Sequence, residues 1–243
     1  MLSKARAPDH GVRRVVPPPV RISMFDRAAL PRVAPFLAYL SFIFIADMLG
    51  RLGVAAQDLR WLYAVKIGVV LGMLLYWRRS YSELRWAPLG ARALTMALAT
   101  GLVVFLLWIN LDAGWMTVGS ADGFDPRNDG QIEWTLVVLR IAGAALVVPV
   151  MEELFWRSFL LRWIDAPDFL QFNPRLASAK AFVVSVVLFG FEHNLWLAGI
   201  VAGAAYSLLY MRSQNLWSPI LAHGVTNGVL GLWIISGGHW TYW

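Results

Sequence analysis

The feature that most constrains the fold of this chain is a series of apolar runs long enough to cross a bilayer. Seven runs are present, at residues 33–49, 61–77, 91–109, 134–155, 180–195, 197–211 and 216–236. A transmembrane helix needs about 20 apolar residues, and most of the runs approach that length. The fifth and sixth runs are short, so a re-entrant hairpin is an alternative there. The sequence therefore predicts an all-α, polytopic membrane helix bundle with about seven transmembrane helices.

The composition agrees with a lipid environment. Hydrophobic residues make up 58% of the 243 residues and charged residues only 15%, whereas an average soluble domain is about 25% charged. The 13 tryptophans are typical of chains whose aromatic rings gather at membrane interfaces. Because the chain has no cysteine, disulfides, thiolate metal sites and a cysteine nucleophile are excluded.

The net charge of +6 is distributed in a pattern that indicates membrane orientation and no nucleic-acid partner. Basic residues concentrate in residues 1–32 and in the segments that follow the second, fourth and sixth runs. Since Lys and Arg accumulate on the cytoplasmic side, we expect the amino terminus inside and the acidic loop 110–133 outside. We predict that residues 1–32 are a disordered, basic, Pro-containing cytoplasmic tail and that residues 33–243 form the transmembrane domain. The expected location is the inner (cytoplasmic) membrane of a bacterium, with the lipid bilayer as a partner.

Polar residues interrupt three of the apolar runs. They are Glu152, Glu153 and Arg157 at the end of the fourth run, His193 at the end of the fifth, and His223 and Asn227 in the seventh. His193 stands four residues after Phe189, in the pattern Phe189-x-x-x-His193. A charged side chain deep in a bilayer costs on the order of 3 kcal/mol, so we expect these groups to face one another inside the bundle. Residues four apart share a helix face, which predicts Glu153–Arg157 as a structural pair and leaves Glu152 as the working carboxylate.

The depths of these residues are similar enough for one site. At about 1.5 Å per residue, Glu152 lies about 15 Å, His223 about 10–12 Å and His193 about 20 Å from the cytoplasmic side. The predicted site is therefore at mid-depth, nearer the cytoplasmic face. A buried carboxylate and a histidine can take a proton from water, and a second histidine with an asparagine can bind an oxyanion. This set of residues indicates amide hydrolysis by an activated water molecule.

The three motifs, in this order, resemble those of the CPBP family (CAAX protease and bacteriocin-processing), which includes the type II CAAX prenyl endopeptidase. The resemblance covers residues 134–236 approximately, the expected catalytic core. It implies an intramembrane, glutamate-dependent endopeptidase without a cofactor, in which Glu152 and His193 activate water. By the same analogy, His223 and Asn227 stabilise the oxyanion, with support from Glu153, Arg157 and Phe189.

The implied substrate is a peptide or a membrane protein. The chain is also similar to a bacterial subgroup associated with exosortase systems, which implies an exosortase-system partner.

Three alternatives stay open at this point. Glu152, His193 and His223 are an acceptable zinc set, so a zinc-dependent hydrolase is one of them. The same polar groups could hold together a non-catalytic membrane scaffold or an immunity-type protein. They could also relay protons in a coupled transporter, although no corresponding half-repeats are visible.

Other features receive structural interpretations. Lys66 and Arg140 stand near span ends and are predicted to snorkel toward the interface, while Glu192 matches no family role. The small-xxx-small pairs Gly68/Gly72, Gly199/Gly203 and Gly224/Gly228 predict close helix packing.

Overall fold

The computed structural model describes residues 28–85, 87–119 and 123–243, and it is predominantly helical over these ranges. The long helices are α1 (Leu30–Arg51), α2 (Leu62–Tyr76), α3 (Ala91–Trp108), α4 (Trp134–Trp163), α5 (Ala179–Phe191), α6 (Trp196–Ser213) and α7 (Trp217–Gly237). Short 3₁₀ turns occupy Arg78–Ser80, Ser82–Leu84, Gly114–Met116, Pro174–Leu176 and Trp240–Tyr242. A small antiparallel ladder, β1 (Arg127–Asn128) with β2 (Gln131–Ile132), lies between α3 and α4. The predicted all-α helix bundle is confirmed.

The lengths and compositions of the helices support a multi-pass membrane protein. Four of them, α1, α3, α4 and α7, are long and apolar enough to cross a bilayer. α2 and α5 are apolar but have only 15 and 13 residues. Large apolar side chains point outward, among them Phe44, Leu146 and Leu232, which are 63%, 70% and 64% exposed. Such surfaces are stable against lipid tails and not against water, and the count of seven crossings stays a prediction.

The first helix begins before the predicted boundary between tail and bundle. α1 starts at Leu30, with Pro31 in its first turn, where a missing N–H costs nothing. Arg32, which the sequence places at the end of the tail, is therefore helical and only 1% exposed. The rest of the predicted tail, residues 1–27, lies outside the described residues.

Close packing between helices is achieved by glycine at several contacts. A Cβ atom at Gly101 of α3 would lie 2.5 Å from the carbonyl oxygen of Ala222 in α7, and one at Gly199 of α6 would lie 3.0 Å from the backbone of Gly190 in α5. These contacts let backbones approach as small residues do in membrane helices. By contrast, nothing lies within 4 Å of a Cβ atom at Gly68 or Gly72, so that pair does not form the predicted contact.

A buried ion cluster joins α1, α4 and the turn after α2, and it explains why Arg32 is inside. Its centre is Glu83, which accepts hydrogen bonds from Arg32 Nε at 2.7 Å and Nη2 at 2.6 Å and a further one from Ser158. Arg162 Nη2 lies 3.8 Å from the same carboxylate. Burial alone would raise the pKa of Glu83, but the hydrogen bonds and charge of Arg32 and the bond from Ser158 outweigh it and hold that pKa below its ordinary value.

We expect this cluster to make the stability of the protein fall in acid. The folded state favours the charged form of Glu83, so its contribution is present above the ordinary pKa of 4.5 and is lost as the pH falls through the lower folded value. Unfolding in detergent should therefore become easier between about pH 5 and about pH 3, and Glu83→Gln should flatten this dependence.

A matched control for this prediction is Asp125→Asn. The hydrogen bonds of Arg127 also lower the pKa of Asp125, but its side chain is 44% exposed. The variant should keep the acid sensitivity of the unmodified protein, because exposed pairs contribute little to stability. An unchanged pH dependence in Glu83→Gln would contradict the assignment.

Candidate active site

The structure brings the four predicted catalytic residues to one cavity of about 210 Å³. Glu152 comes from α4, His193 follows the end of α5, and His223 and Asn227 lie one turn apart on α7. Glu152 and His223 are each only 4% exposed, and Glu152 Oε2 lies 4.0 Å from His223 Nε2. The residues are therefore close enough to act on one substrate, while their roles in catalysis stay a proposal.

The position of α7 depends on an irregularity in α4. Two π-helical segments, Gly143–Val147 and Leu154–Leu160, flank a short α-helical turn that contains Pro149 and Glu152. Because proline has no N–H, the carbonyl four or five residues before it lacks a partner within the helix. Asn227 Nδ2 donates to the carbonyl oxygen of Ala144 at 2.8 Å, so α7 binds α4 where the helical hydrogen bonding is interrupted.

Gly224 makes the adjacent contact on the same face of α7. A Cβ atom at this position would lie 2.8 Å from the carbonyl oxygen of Ala145, closer than van der Waals contact allows. The glycine therefore keeps α7 against α4 and sets the height of His223 beside Glu152. Gly228, one turn further along, is less restricted, since its Cβ atom would lie 3.7 Å from the Ala145 side chain.

We expect Gly224→Ala to destabilise the protein by about 1–3 kcal/mol, the usual cost of overpacking, and to reduce activity by moving α7. Gly228→Ala is the matched control on the same helix, and it should leave both stability and activity close to those of the unmodified protein. Thermal unfolding of the purified protein in detergent measures the first effect. Equal unfolding temperatures for the two variants would show that the contact at Gly224 is not tight.

The second carboxylate of the pair, Glu153, joins two helices. Its Oε1 atom accepts a hydrogen bond from Arg157 Nη1 at 3.1 Å, which is the predicted pair, and also lies 3.0 Å from His223 Nδ1. Because a carboxylate only accepts, His223 carries a proton on Nδ1 and turns Nε2 toward Glu152. The sequence did not predict this contact with His223, which orients the imidazole.

Arg157 is fixed by three other groups as well. Its Nη2 atom donates to the carbonyl oxygen of Gly203 at 3.2 Å. The guanidinium lies 4.3 Å from the ring centroid of Phe189 and 5.5 Å from that of Tyr206. The ring of Phe189 thus packs on the cation, while the supporting role predicted for this residue stays a proposal.

The tautomer of His193 is set by its own helix. The Nδ1 atom lies 2.9 Å from the carbonyl oxygen of Phe189, and because a carbonyl only accepts, Nδ1 carries the hydrogen. The neutral ring therefore has its lone pair on Nε2. Trp108 contacts the imidazole edge-on, with 5.2 Å between ring centroids. His193 is thus prepared to accept a proton or a hydrogen bond from a group in the cavity.

Tyr206 was not singled out in the sequence, and Glu192 was given no role in the site. Tyr206 of α6 stacks on His223 with 5.0 Å between ring centroids, and its hydroxyl donates to Thr226 Oγ1 at 2.7 Å. Nothing in an apolar helix distinguishes such a tyrosine from one that faces lipid. Glu192, which has no family role, accepts a hydrogen bond from Trp156 Nε1 at 3.1 Å and so faces the bundle.

Zinc stays an alternative for this arrangement of side chains. Among the residues described, no three His, Asp or Glu side chains are grouped closely enough to hold a metal ion as they stand. The Nδ1 atoms of His193 and His223 face protein acceptors, which leaves the Nε2 atom of each ring for a metal, as in many zinc sites.

A second cavity beside the first indicates the side of the bundle on which the site lies nearest the surface. A second cavity, of about 640 Å³, shares with the first the residues Tyr39, Trp108, Arg140, His193, Tyr242 and Trp243. It is also lined by Asp112, Thr117 and Gly119 of the loop after α3. The site thus adjoins the face that carries this loop and the C-terminal turn, which the charge pattern places outside the cytoplasm. The Glu83 cluster lies toward the opposite face.

Comparison with known proteins supports the resemblance inferred from the motifs. The family model described as Type II CAAX prenyl endopeptidase Rce1-like matches residues 134–229. The match runs from the start of α4 into α7 and contains all the motif residues. No curated protein and no solved structure matches the chain. At the level of the family, the match supports a protease.

Proposed function

We propose that this chain, similar over residues 134–229 to the Rce1-like type II CAAX prenyl endopeptidases, is an intramembrane endopeptidase that uses a glutamate-activated water molecule. The observation that carries the proposal is the meeting of Glu152, His193, His223 and Asn227 in one cavity within a bundle of apolar helices. A cluster of ionisable groups at such a depth is costly, and catalysis gives a reason for it.

In the proposed mechanism, a water molecule is held between the carboxylate of Glu152 and Nε2 of His193. Glu152 takes one proton as the water oxygen attacks the carbonyl carbon of the peptide bond. The same proton passes from Glu152 to the nitrogen of the leaving amine as the C–N bond breaks. The products are a carboxylic acid and an amine, and no covalent enzyme intermediate is formed.

The negative charge that develops on the carbonyl oxygen is met by His223 and Asn227. Asn227 uses one N–H for Ala144 and keeps a second N–H for the oxyanion. His223, whose Nδ1 is held by Glu153 at 3.0 Å, presents Nε2 to the oxyanion. Donors that are already oriented stabilise the transition state because they need not reorganise during the reaction.

The experiment that tests this function compares the termini of membrane proteins from cells with the unmodified protein and with Glu152→Gln. If the chain is a protease, new termini should appear in cells with the unmodified protein and be absent with Glu152→Gln. The purified active protein should also keep its activity when it is treated with a metal chelator. Loss of activity with the chelator would favour the zinc alternative. Rescue of a deletion phenotype by a variant that lacks both Glu152 and His193 side chains would favour the scaffold.

A further inference from the structure

Two basic residues line the outer of the two adjacent cavities, the one of about 640 Å³. Arg140, in the second turn of α4, lines both cavities, and Lys66, in the second turn of α2, lines the outer one. Both were predicted to snorkel toward the interface. The structure turns them toward the outer cavity, which adjoins the one that contains Glu152.

Neither basic group has an acidic partner in the described ranges. No carboxylate there lies within 4.0 Å of Lys66 or Arg140, whereas Arg32, Arg157 and Arg162 each have one. The two acidic residues of the outer cavity accept other hydrogen bonds. Asp112 accepts from Tyr242 Oη at 2.7 Å, and Glu192 from Trp156.

Aromatic rings take the place of acidic partners. Lys66 Nζ lies 3.8 Å from the ring centroid of Tyr39, and Arg140 Cζ lies 4.7 Å and 4.4 Å from those of Tyr63 and Phe124. Rings offset part of the cost of a desolvated cation, but they leave its N–H donors free for an anion. A pair of such cations in a membrane-embedded cavity is therefore a strong anion-binding element.

We propose that Lys66 and Arg140 form a subsite that binds a carboxylate of the peptide substrate. The inference rests on the proposed protease function and extends it to the chemistry of the substrate. The carboxylate is either the C-terminus of the substrate or an acidic side chain near the cleaved bond. Arg140 supplies a planar, two-pronged donor that matches a carboxylate, and the Lys66 amine supplies further N–H donors.

The subsite can be tested by binding, separately from catalysis. Glu152→Gln protein in phosphatidylcholine nanodiscs is titrated with three fluorescent peptides of one hydrophobic sequence. The first has a free C-terminal carboxylate, the second a C-terminal amide, and the third an amide and one internal glutamate. We expect the free acid, the glutamate peptide, or both to bind about tenfold or more tightly than the plain amide, as charge-assisted hydrogen bonds allow. The relative affinities of the two acidic peptides distinguish terminus from side chain.

The variants Lys66→Gln and Arg140→Gln, each combined with Glu152→Gln, should lose most of this preference. Arg51→Gln is the control, since Arg51 is a 73% exposed arginine paired with Asp47 away from the cavity. Equal binding of all three peptides, or a preference that survives both substitutions, would overturn the subsite. The subsite would also be overturned if phosphatidylglycerol displaced all three peptides equally, because the two basic side chains would then bind a lipid phosphate. None of these results depends on whether Glu152 is catalytic, so the two proposals can fail independently.

Discussion

Replacement of Glu152 by Gln is expected to reduce peptide cleavage by about 10²–10⁴-fold, the usual contribution of a general base. Gln has the shape of Glu and can still hydrogen-bond in the cavity, but it cannot take a proton from water. The side chain is 4% exposed, and its Oε2 atom has no hydrogen-bond partner among the residues that the structure describes. The loss should therefore be chemical, with the fold preserved.

The measurement is the rate of product release by protein reconstituted in vesicles, with a substrate identified from the comparison of termini. Glu133→Gln is the matched control, because this glutamate stands just before the same helix and outside both cavities that form the site. We expect the control to cleave at nearly the normal rate. Undiminished cleavage by Glu152→Gln, with purified protein free of contaminating protease, would remove the basis of the mechanism.

Replacement of Arg157 by Ala is expected to have the largest effect on stability, about 3–5 kcal/mol. The side chains of Arg157 and Glu153 are 1% and 0% exposed and lie 3.1 Å apart. Removal of the cation leaves a carboxylate that cannot be solvated by water. It also removes the bond to Gly203 and the contact with Phe189.

The chain contains a close control for this substitution. Asp47 and Arg51 have the same spacing and the same order of acid and base, at a distance of 2.8 Å, but their side chains are 52% and 73% exposed. Arg51→Ala should therefore cost less than about 1 kcal/mol. The free energy of unfolding of both variants is measured in mixed micelles that contain an increasing fraction of a denaturing detergent.

A further variant separates charge from packing. The double substitution Glu153→Gln with Arg157→Gln removes both charges and should recover part of the loss. Similar losses for Arg157→Ala and Arg51→Ala would mean that burial does not determine the strength of this pair.

The sequence predicted the elements of this fold because each apolar run is a local signal. Helical spacing also predicted the Glu153–Arg157 pair, which lies on one helix. It could not predict that Glu153 also binds His223, 70 residues away, because spacing fixes the face of a residue on its own helix and not the rotation of one helix against another. The irregular turn of α4 around Pro149 changes that rotation further.

The same limit applies to Lys66 and Arg140. A basic residue in the second turn of a membrane helix can reach the interface or a cavity between helices, and only the direction of its side chain decides between them. The depth of Glu152 stays a prediction. Its position is eleven before Trp163 at the end of α4, about 16 Å along a helix, but a depth does not show on which face the cavity opens.

The shortness of α5 has a consequence for the supply of water. Its 13 residues extend about 20 Å, well below the hydrocarbon thickness of about 30 Å. The loop after α3 descends to meet its end, where Val118 N donates to the carbonyl oxygen of Asn194 at 2.8 Å. A helix shorter than the hydrocarbon core thins the bilayer around it, so we expect the aqueous phase to approach the end of α5 beside His193. The proposed hydrolysis consumes one water molecule per turnover, and local thinning of this kind would shorten the path of that water to the site.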